Sequence, residues 1–112
     1  MIIDPNKIKE ELITGFKGGK GELLTRCYSD GKCKIMFSHL KPGASSGLHK
    51  HEGNSEIMYV ISGTMTFYYD GKKEVAEAGQ VHYCPEGHEH YMQNDTDEDV
   101  YYFAIVPEHR LK

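Results

Sequence analysis

The sequence predicts an all-β protein, an antiparallel sandwich or barrel with one short helix at the N terminus. The first observation is a series of short strand-like runs separated by glycine or proline, which is typical of that architecture. The second is a pair of Asp-Gly dipeptides, Asp30-Gly31 and Asp70-Gly71, each lying between two such runs and indicating a tight hairpin. The length of 112 residues allows a single domain with a substantial core.

The N-terminal segment 1–15 is the predicted helix. Asp4 can cap it, and Pro5 suits the first helical position. Apolar residues recur at helical spacing up to Ile13, and Gly15 ends the pattern. The glycine-rich stretch 17–21 that follows is predicted to be a flexible connector. The barrel domain is therefore expected to span residues 21–112.

The rest of the chain is predicted to form strands. Each run is rich in β-branched or aromatic residues, and residues that favour turns bound it. The runs are 22–28, 33–40, 56–62, 64–70, 72–78, 80–85, 88–94 and 99–106. Short runs of this kind must pair with one another to satisfy their backbone groups, which favours a closed or two-layered β structure.

Composition excludes several classes of function. The formal net charge is −4 and no Lys/Arg cluster is present, so binding to nucleic acid or to an anionic membrane surface is not expected. No apolar run has the length of a membrane span, and the first residues lack a signal-peptide pattern. Three cysteines do not form a complete set of disulfides, which favours reduced thiols and a cytoplasmic protein.

A group of polar residues precedes the run 56–62. His49 and His51 are two residues apart, so their side chains share a face of an extended segment. The intervening residues 52–55 (EGNS) allow a bend, after which Glu56, Met58 and Val60 would line one face of a strand. Two imidazoles and a carboxylate from neighbouring segments can then converge, which is a common way to assemble a divalent metal site.

Further imidazoles follow in residues 79–94. His82, His88 and His90 surround a Pro-x-Gly turn, and alternation predicts that His88 and His90 share a face. Imidazole suits zinc, copper, iron and nickel, whereas an added carboxylate with open positions favours iron(II), manganese(II) or nickel(II). The absence of a thiolate pair disfavours a closed structural zinc site. The second stretch can therefore supply a fourth metal ligand.

The two stretches resemble the two conserved motifs of the cupin family, at every fixed position and with a short spacer of 15 residues between them. In the first motif, residues 43–63, the matching residues are Gly43, His49, His51, Glu56 and Gly63; in the second, residues 79–94, they are Gly79, Pro85, Gly87, His90 and Asn94. The resemblance implies a double-stranded β-helix, or jelly-roll barrel. It also implies that His49, His51, Glu56 and His90 bind one divalent metal ion, iron, manganese, nickel or zinc, inside the barrel.

This resemblance implies a small metalloenzyme, an oxygenase, isomerase or lyase that acts on a small oxygenated metabolite. His88 is then a candidate acid/base catalyst, because it is expected to project toward the same cavity as His90. The alternative is a non-catalytic binding or sensing protein that holds its ligand through the metal. Short barrels of this family commonly form homodimers, and residues 22–28 are the expected interface segment.

Overall fold

A computed structural model describes residues 1–110 of the chain as two antiparallel β-sheets. One sheet has the strand order β1-β2-β3-β10-β5-β8 and the other has the order β4-β9-β6-β7. The strands are β1 Glu11–Thr14, β2 Glu22–Ser29, β3 Cys33–Leu40, β4 His49–Lys50, β5 Glu56–Ser62, β6 Thr64–Tyr69, β7 Lys72–Glu77, β8 Val81–Cys84, β9 Glu89–Gln93 and β10 Val100–Pro107. Two 3₁₀ turns, Pro5–Lys7 and Phe16–Gly18, complete the regular structure of this part of the chain.

All eight predicted runs form strands whose ends differ from the prediction by at most one residue. The second Asp-Gly pair shows why the hairpins could be predicted. Asp70 and Gly71 both have positive φ, at 48° and 79°, which a tight turn between β6 and β7 requires. The all-β architecture is therefore confirmed.

The helix predicted over residues 1–15 is wrong beyond its first turn. Asp4 does cap a 3₁₀ turn at Pro5–Lys7, but residues 11–14 form β1 and pair with β2. A helix of about ten residues is marginal unless a neighbour covers its apolar face. Here Leu12 is exposed and Ile13 half-buried, so these two neighbouring apolar residues do not form the single buried face that a helix would need. This strand precedes the predicted domain start at residue 21, and residues 111–112 of the predicted domain lie outside the described part.

The predicted flexible connector is also wrong, because residues 15–21 pack closely against residues 45–47. We call residues 15–21 the N-terminal strap. The amide of Gly47 donates to the carbonyl of Phe16 at 2.9 Å, and Lys20 and Ser45 exchange two backbone hydrogen bonds. A Cβ on Gly19 would lie 2.0 Å from the carbonyl oxygen of Ser45, so only glycine allows this approach.

The hydrophobic core lies between the inner faces of the two sheets. Phe67, Val60 and Met65 are fully buried there. Strand β5 shows the predicted alternation, since Glu56, Met58 and Val60 are buried while the residues between them are exposed. The inner face of β5 therefore carries a carboxylate into the barrel interior, next to the apolar side chains of Met58 and Val60. Within residues 1–110, no helix is long and apolar enough to cross a lipid bilayer.

Candidate metal centre

Four polar side chains from three strands meet inside the barrel. His49 on β4 is directly opposite His90 on β9, so their side chains project from the same face of the sheet. His51 is the first residue after β4, and Glu56 begins β5 on the facing sheet. The ligand atoms of all four residues lie within 4.8 Å of one another. The structure thus brings together the four residues that the sequence predicted as metal ligands.

The spacing of these atoms fits a single ion. Nε2 of His90 lies 3.0 Å from Nε2 of His51, 3.1 Å from Nε2 of His49 and 3.0 Å from Oε1 of Glu56. Neighbouring donors on a six-coordinate ion stand about 3.0 Å apart when each bond is about 2.1 Å long. Four protein donors at this spacing leave positions for a ligand or water.

Hydrogen bonds on the far side of the rings orient the lone pairs. The Nδ1–H group of His49 donates to the carbonyl of Gly47 at 2.8 Å. That of His51 donates to Oδ1 of Asn54 at 2.7 Å. A neutral imidazole with its hydrogen on Nδ1 presents a lone pair at Nε2. Unprotonated nitrogens and a carboxylate facing one point repel each other unless a cation lies between them, so the donor set fits a metal.

A second imidazole supports His90. Nε2 of His82 lies 2.9 Å from Nδ1 of His90, and Nδ1 of His82 lies 2.7 Å from Oε1 of Glu74. Since Nδ1–H of His82 donates to the carboxylate, its Nε2 accepts from Nδ1–H of His90. His82 is buried and stacked on Phe67, with ring centroids 3.8 Å apart. We call Glu74, His82 and His90 the supporting chain.

Sequence reasoning gave His82 no role in this site. The available signal was its position two residues before the buried Cys84, which places it on the inner face of β8. Its strand partner is Met58, which also points inward. The contact with His90 joins two strands from different sheets, so it depends on how the sheets pack. Alternation along one strand could show that His82 is buried but not which residue it contacts.

The ionisation of the site favours metal binding. Burial is the largest influence on Glu56 and by itself raises the pKa, but the adjacent imidazoles of His51 and His90 outweigh it and lower the pKa to about 2. Burial also lowers the pKa of His49 to about 4. Near neutral pH the carboxyl is therefore ionised and this imidazole is neutral. These are the forms that coordinate a metal.

A cavity of about 390 Å³ opens beside the four residues. Met58, Met92 and Tyr102 belong to its inner wall and are buried. Its mouth carries exposed charged side chains, which are Glu11, Lys17, Lys34, Lys50 and Glu52. The two methionines form part of the apolar wall beside the candidate site. A small ligand can reach the four residues through this mouth.

His88 does not line this cavity. It precedes β9 instead of lying within it, so the alternation that the sequence predicted does not reach it. Its side chain is 43% exposed. Its Nδ1 forms a hydrogen bond of 2.5 Å with Oδ2 of Asp70 and lies 3.2 Å from the hydroxyl of Tyr69. The expectation that His88 projects into the same cavity as His90 is therefore wrong. In its observed position His88 cannot act directly as an acid or base on a ligand in this cavity.

Comparison with known proteins links the chain to one family. The family described as "Cupin domain" matches residues 36–106. The oxalate-binding protein of Thermotoga maritima is 34% identical over an alignment of 113 positions, which covers 95% of this chain and 93% of that protein. A crystal structure from Thermotoga maritima, described as a "predicted oxalate decarboxylase", is 32% identical with a TM-score of 0.89 and covers 96% of this chain and 99% of that one. The crystal structure of a sugar phosphate isomerase of the cupin superfamily from Silicibacter pomeroyi is 18% identical and has a TM-score of 0.78. The match covers 96% of this chain and 76% of that one, and at this identity it shows a similar fold and nothing more.

Proposed function

Because the chain belongs to the cupin family and has its double-stranded β-helix fold, we propose that it binds one divalent transition metal and uses it to hold a small oxygenated ligand. The metal ligands are His49, His51, Glu56 and His90. The observation that carries the proposal is the convergence of their four ligand atoms within 4.8 Å beside an open cavity. Three nitrogens and one carboxylate oxygen suit iron, manganese or nickel, with zinc also possible chemically.

The ligand that we propose is a small dicarboxylate of the oxalate type. The relative named an oxalate-binding protein is similar over 95% of this chain, which includes the whole candidate site. When bound, a divalent metal supplies a Lewis acid that chelates paired oxygen atoms. The chain supplies the apolar walls at Met58 and Met92, which shield such a ligand from water. The hydrogen bonds at Nδ1 of His49 and His51 hold the metal-binding faces in place.

Catalysis is the second candidate function, as a lyase, oxygenase or isomerase. The similar structure described as a predicted oxalate decarboxylase favours the lyase among these. Within the cavity, Tyr102 offers a buried hydroxyl whose pKa is raised above its usual value, mainly by burial. It remains protonated near neutral pH and can donate a hydrogen bond to a carboxylate ligand. Decarboxylation of hydrogen oxalate would release one formate and one carbon dioxide, and both can be measured.

The test begins with elemental analysis of protein purified without an affinity tag or added metal. We expect close to one equivalent of metal in the wild type and its loss from His51→Ala and His90→Ala. His88→Ala is the matched control and should keep the metal, because His88 lies outside the site. If the folded wild-type protein contains no metal after purification and takes up none that is added, the proposal is contradicted. Calorimetric titration of the loaded protein with oxalate, followed by formate analysis, then separates binding from turnover.

We also infer that the protein forms a homodimer through the outer face of its six-stranded sheet. Exposed apolar side chains pair across strands there, Ile57 opposite Tyr83 and Tyr59 opposite Val81. Contiguous apolar surface of this kind commonly marks an interface. The predicted interface segment, residues 22–28, lies inside the sheet between β1 and β3, so its backbone edge is already paired. A monomeric mass over a wide concentration range in sedimentation experiments would refute the dimer.

A cytoplasmic location is part of the same proposal. Its support is that Cys27, Cys33 and Cys84 are all free thiols in the structure. Cell fractionation with an antibody against the protein would test it directly. Recovery in an extracytoplasmic fraction would contradict it.

A further inference from the structure

We propose that Lys17, held at the cavity mouth by the N-terminal strap, makes the site select ligands that carry negative charge on the side away from the metal. This inference rests on the proposed metal-centred function. It assigns ligand charge selection to a residue that lies outside the metal-binding set and outside residues 36–106, which the family match covers. The chemical class that it favours is a small dicarboxylate over a monocarboxylate of the same shape.

The backbone of Lys17 is fixed in an unfavourable conformation. Its φ of 52° and ψ of 32° lie in the left-handed region, which is uncommon for a residue with a side chain. Such a conformation persists where the surroundings enforce it, and functional sites are where it is most often found. The surroundings here are the tight contact with Gly47, where an added Cβ would lie 1.9 Å from the carbonyl oxygen of Lys17.

The same contact connects Lys17 to the candidate metal centre. Gly47 donates its amide hydrogen to Phe16 in the strap, and its carbonyl accepts from Nδ1–H of His49. The strap and His49 are therefore both hydrogen-bonded to Gly47. Phe16, Lys17 and His49 all line the cavity.

Lys17 also differs from the other cations at the mouth. Lys50 lies 3.8 Å from Glu52 and is paired with it. Lys34 also forms no ion pair within residues 1–110, but it shares its part of the mouth with the opposite charge of Glu11, since both residues lie close to Cys27. Lys17 forms no ion pair within 4.0 Å with any charged group in residues 1–110, and its Nζ lies over the Phe16 ring, 5.5 Å from the ring centroid. Its positive charge is therefore available to a ligand.

A ligand that fills the cavity between the four metal-binding residues and the strap would present its outer oxygen atoms to Lys17. A charged carboxylate there gains a favourable interaction with the ammonium group, whereas a neutral amide gains much less. Because Lys17 is exposed, this interaction is screened by salt. Both the charge preference and its salt dependence should therefore depend on this residue.

The experiment compares metal-loaded wild type with Lys17→Met, Lys17→Arg and the matched control Lys34→Met. Each is titrated with oxalate and with oxamate, which has nearly the same shape but one carboxylate replaced by an amide. We expect Lys17→Met to bind oxalate roughly three- to tenfold more weakly, with little change for oxamate. Lys17→Arg should retain the preference, and Lys34→Met should resemble the wild type. The affinity of Lys17→Met for oxalate should also fall less steeply as salt is added.

Metal content, measured in every sample, separates the two proposals. If all variants hold one equivalent of metal but Lys17→Met keeps the wild-type preference for oxalate over oxamate, the role of Lys17 is refuted and the metal site stands. The same conclusion follows if the loaded wild type shows no such preference. A wild type that takes up no metal refutes the proposed function and, with it, this inference.

Discussion

Because His82 accepts a hydrogen bond from His90 in the supporting chain, we predict that His82 controls metal affinity without contacting the metal. His82→Leu removes the acceptor for Nδ1–H of His90 but keeps an apolar side chain of similar size against Phe67. The imidazole of His90 would then have a buried donor without a partner and a ring free to change orientation. His82→Gln is the matched variant, because its side-chain oxygen can accept the same hydrogen bond.

The expected magnitude follows from burial. His82 and His90 are each 2% exposed, so water cannot replace the lost hydrogen bond. A buried donor left unpaired costs about 1–3 kcal/mol, and loss of a residue that orients a metal ligand weakens metal binding about 10- to 100-fold. Glu74, at the other end of the supporting chain, has a side chain that is 49% exposed. Water can take the place of its carboxylate, so Glu74→Gln should weaken binding by less than about fivefold.

The assay is competition for metal with a coloured chelator of known affinity, together with urea unfolding of the metal-free proteins. The unfolding experiment shows whether each variant is folded and by how much it is destabilised. Metal affinity should fall in the order wild type, Glu74→Gln, His82→Gln, His82→Leu. If folded His82→Leu binds metal within twofold of the wild type, the supporting chain does not orient His90 and this reasoning is wrong.

Three further predictions concern stability and reactivity. Phe67→Ala should lower the free energy of unfolding by about 3–5 kcal/mol in a denaturant titration, since Phe67 is fully buried; a loss below about 1 kcal/mol would contradict this packing. The metal-free protein should lose stability as the pH falls from about 6.5 toward 4, because the pKa of His49 is lowered from 6.5 to about 4 and the unfolded chain then binds more protons. Glu56, with its pKa lowered from 4.5 to about 2, continues this loss at lower pH, while the raised pKa of His51 opposes part of it. Thermal melts between pH 4 and 7 that show no decrease would contradict that sign. Cys84, whose pKa burial raises to about 12, should resist a thiol reagent in the folded protein and react after unfolding; rapid reaction in native buffer would contradict its burial.

The features that the sequence predicted well depend on local pattern. Burial alternates along β5 because adjacent side chains of a strand point to opposite faces, so Glu56, Met58 and Val60 could be placed on one face before the structure was known. The turn at Asp70-Gly71 could be placed because few other residues tolerate positive φ. The fixed spacings of the two motifs then identified the residues that converge at the site.

The features that the sequence missed depend on contacts between distant parts of the chain. Residues 11–14 have apolar positions that also fit a helix, and pairing with β2 decides the outcome. The stretch 17–21 contains three glycines and suggested flexibility, yet Gly19 is needed for close approach to Ser45. His88 was placed by extending alternation one residue before β9 begins. In each case the deciding partner lies elsewhere in the fold.

The residues proposed to bind the metal and the residues proposed to select the ligand lie in different parts of the sequence. All four proposed metal-binding residues lie within residues 36–106, whereas the strap and β1, which complete the cavity mouth, precede that region. Related proteins could therefore keep the same metal chemistry and diverge in ligand preference through changes confined to their first 21 residues. We expect a chimera that exchanges only this leading segment between two relatives to transfer the ligand preference of the donor while leaving the proposed metal ligands unchanged.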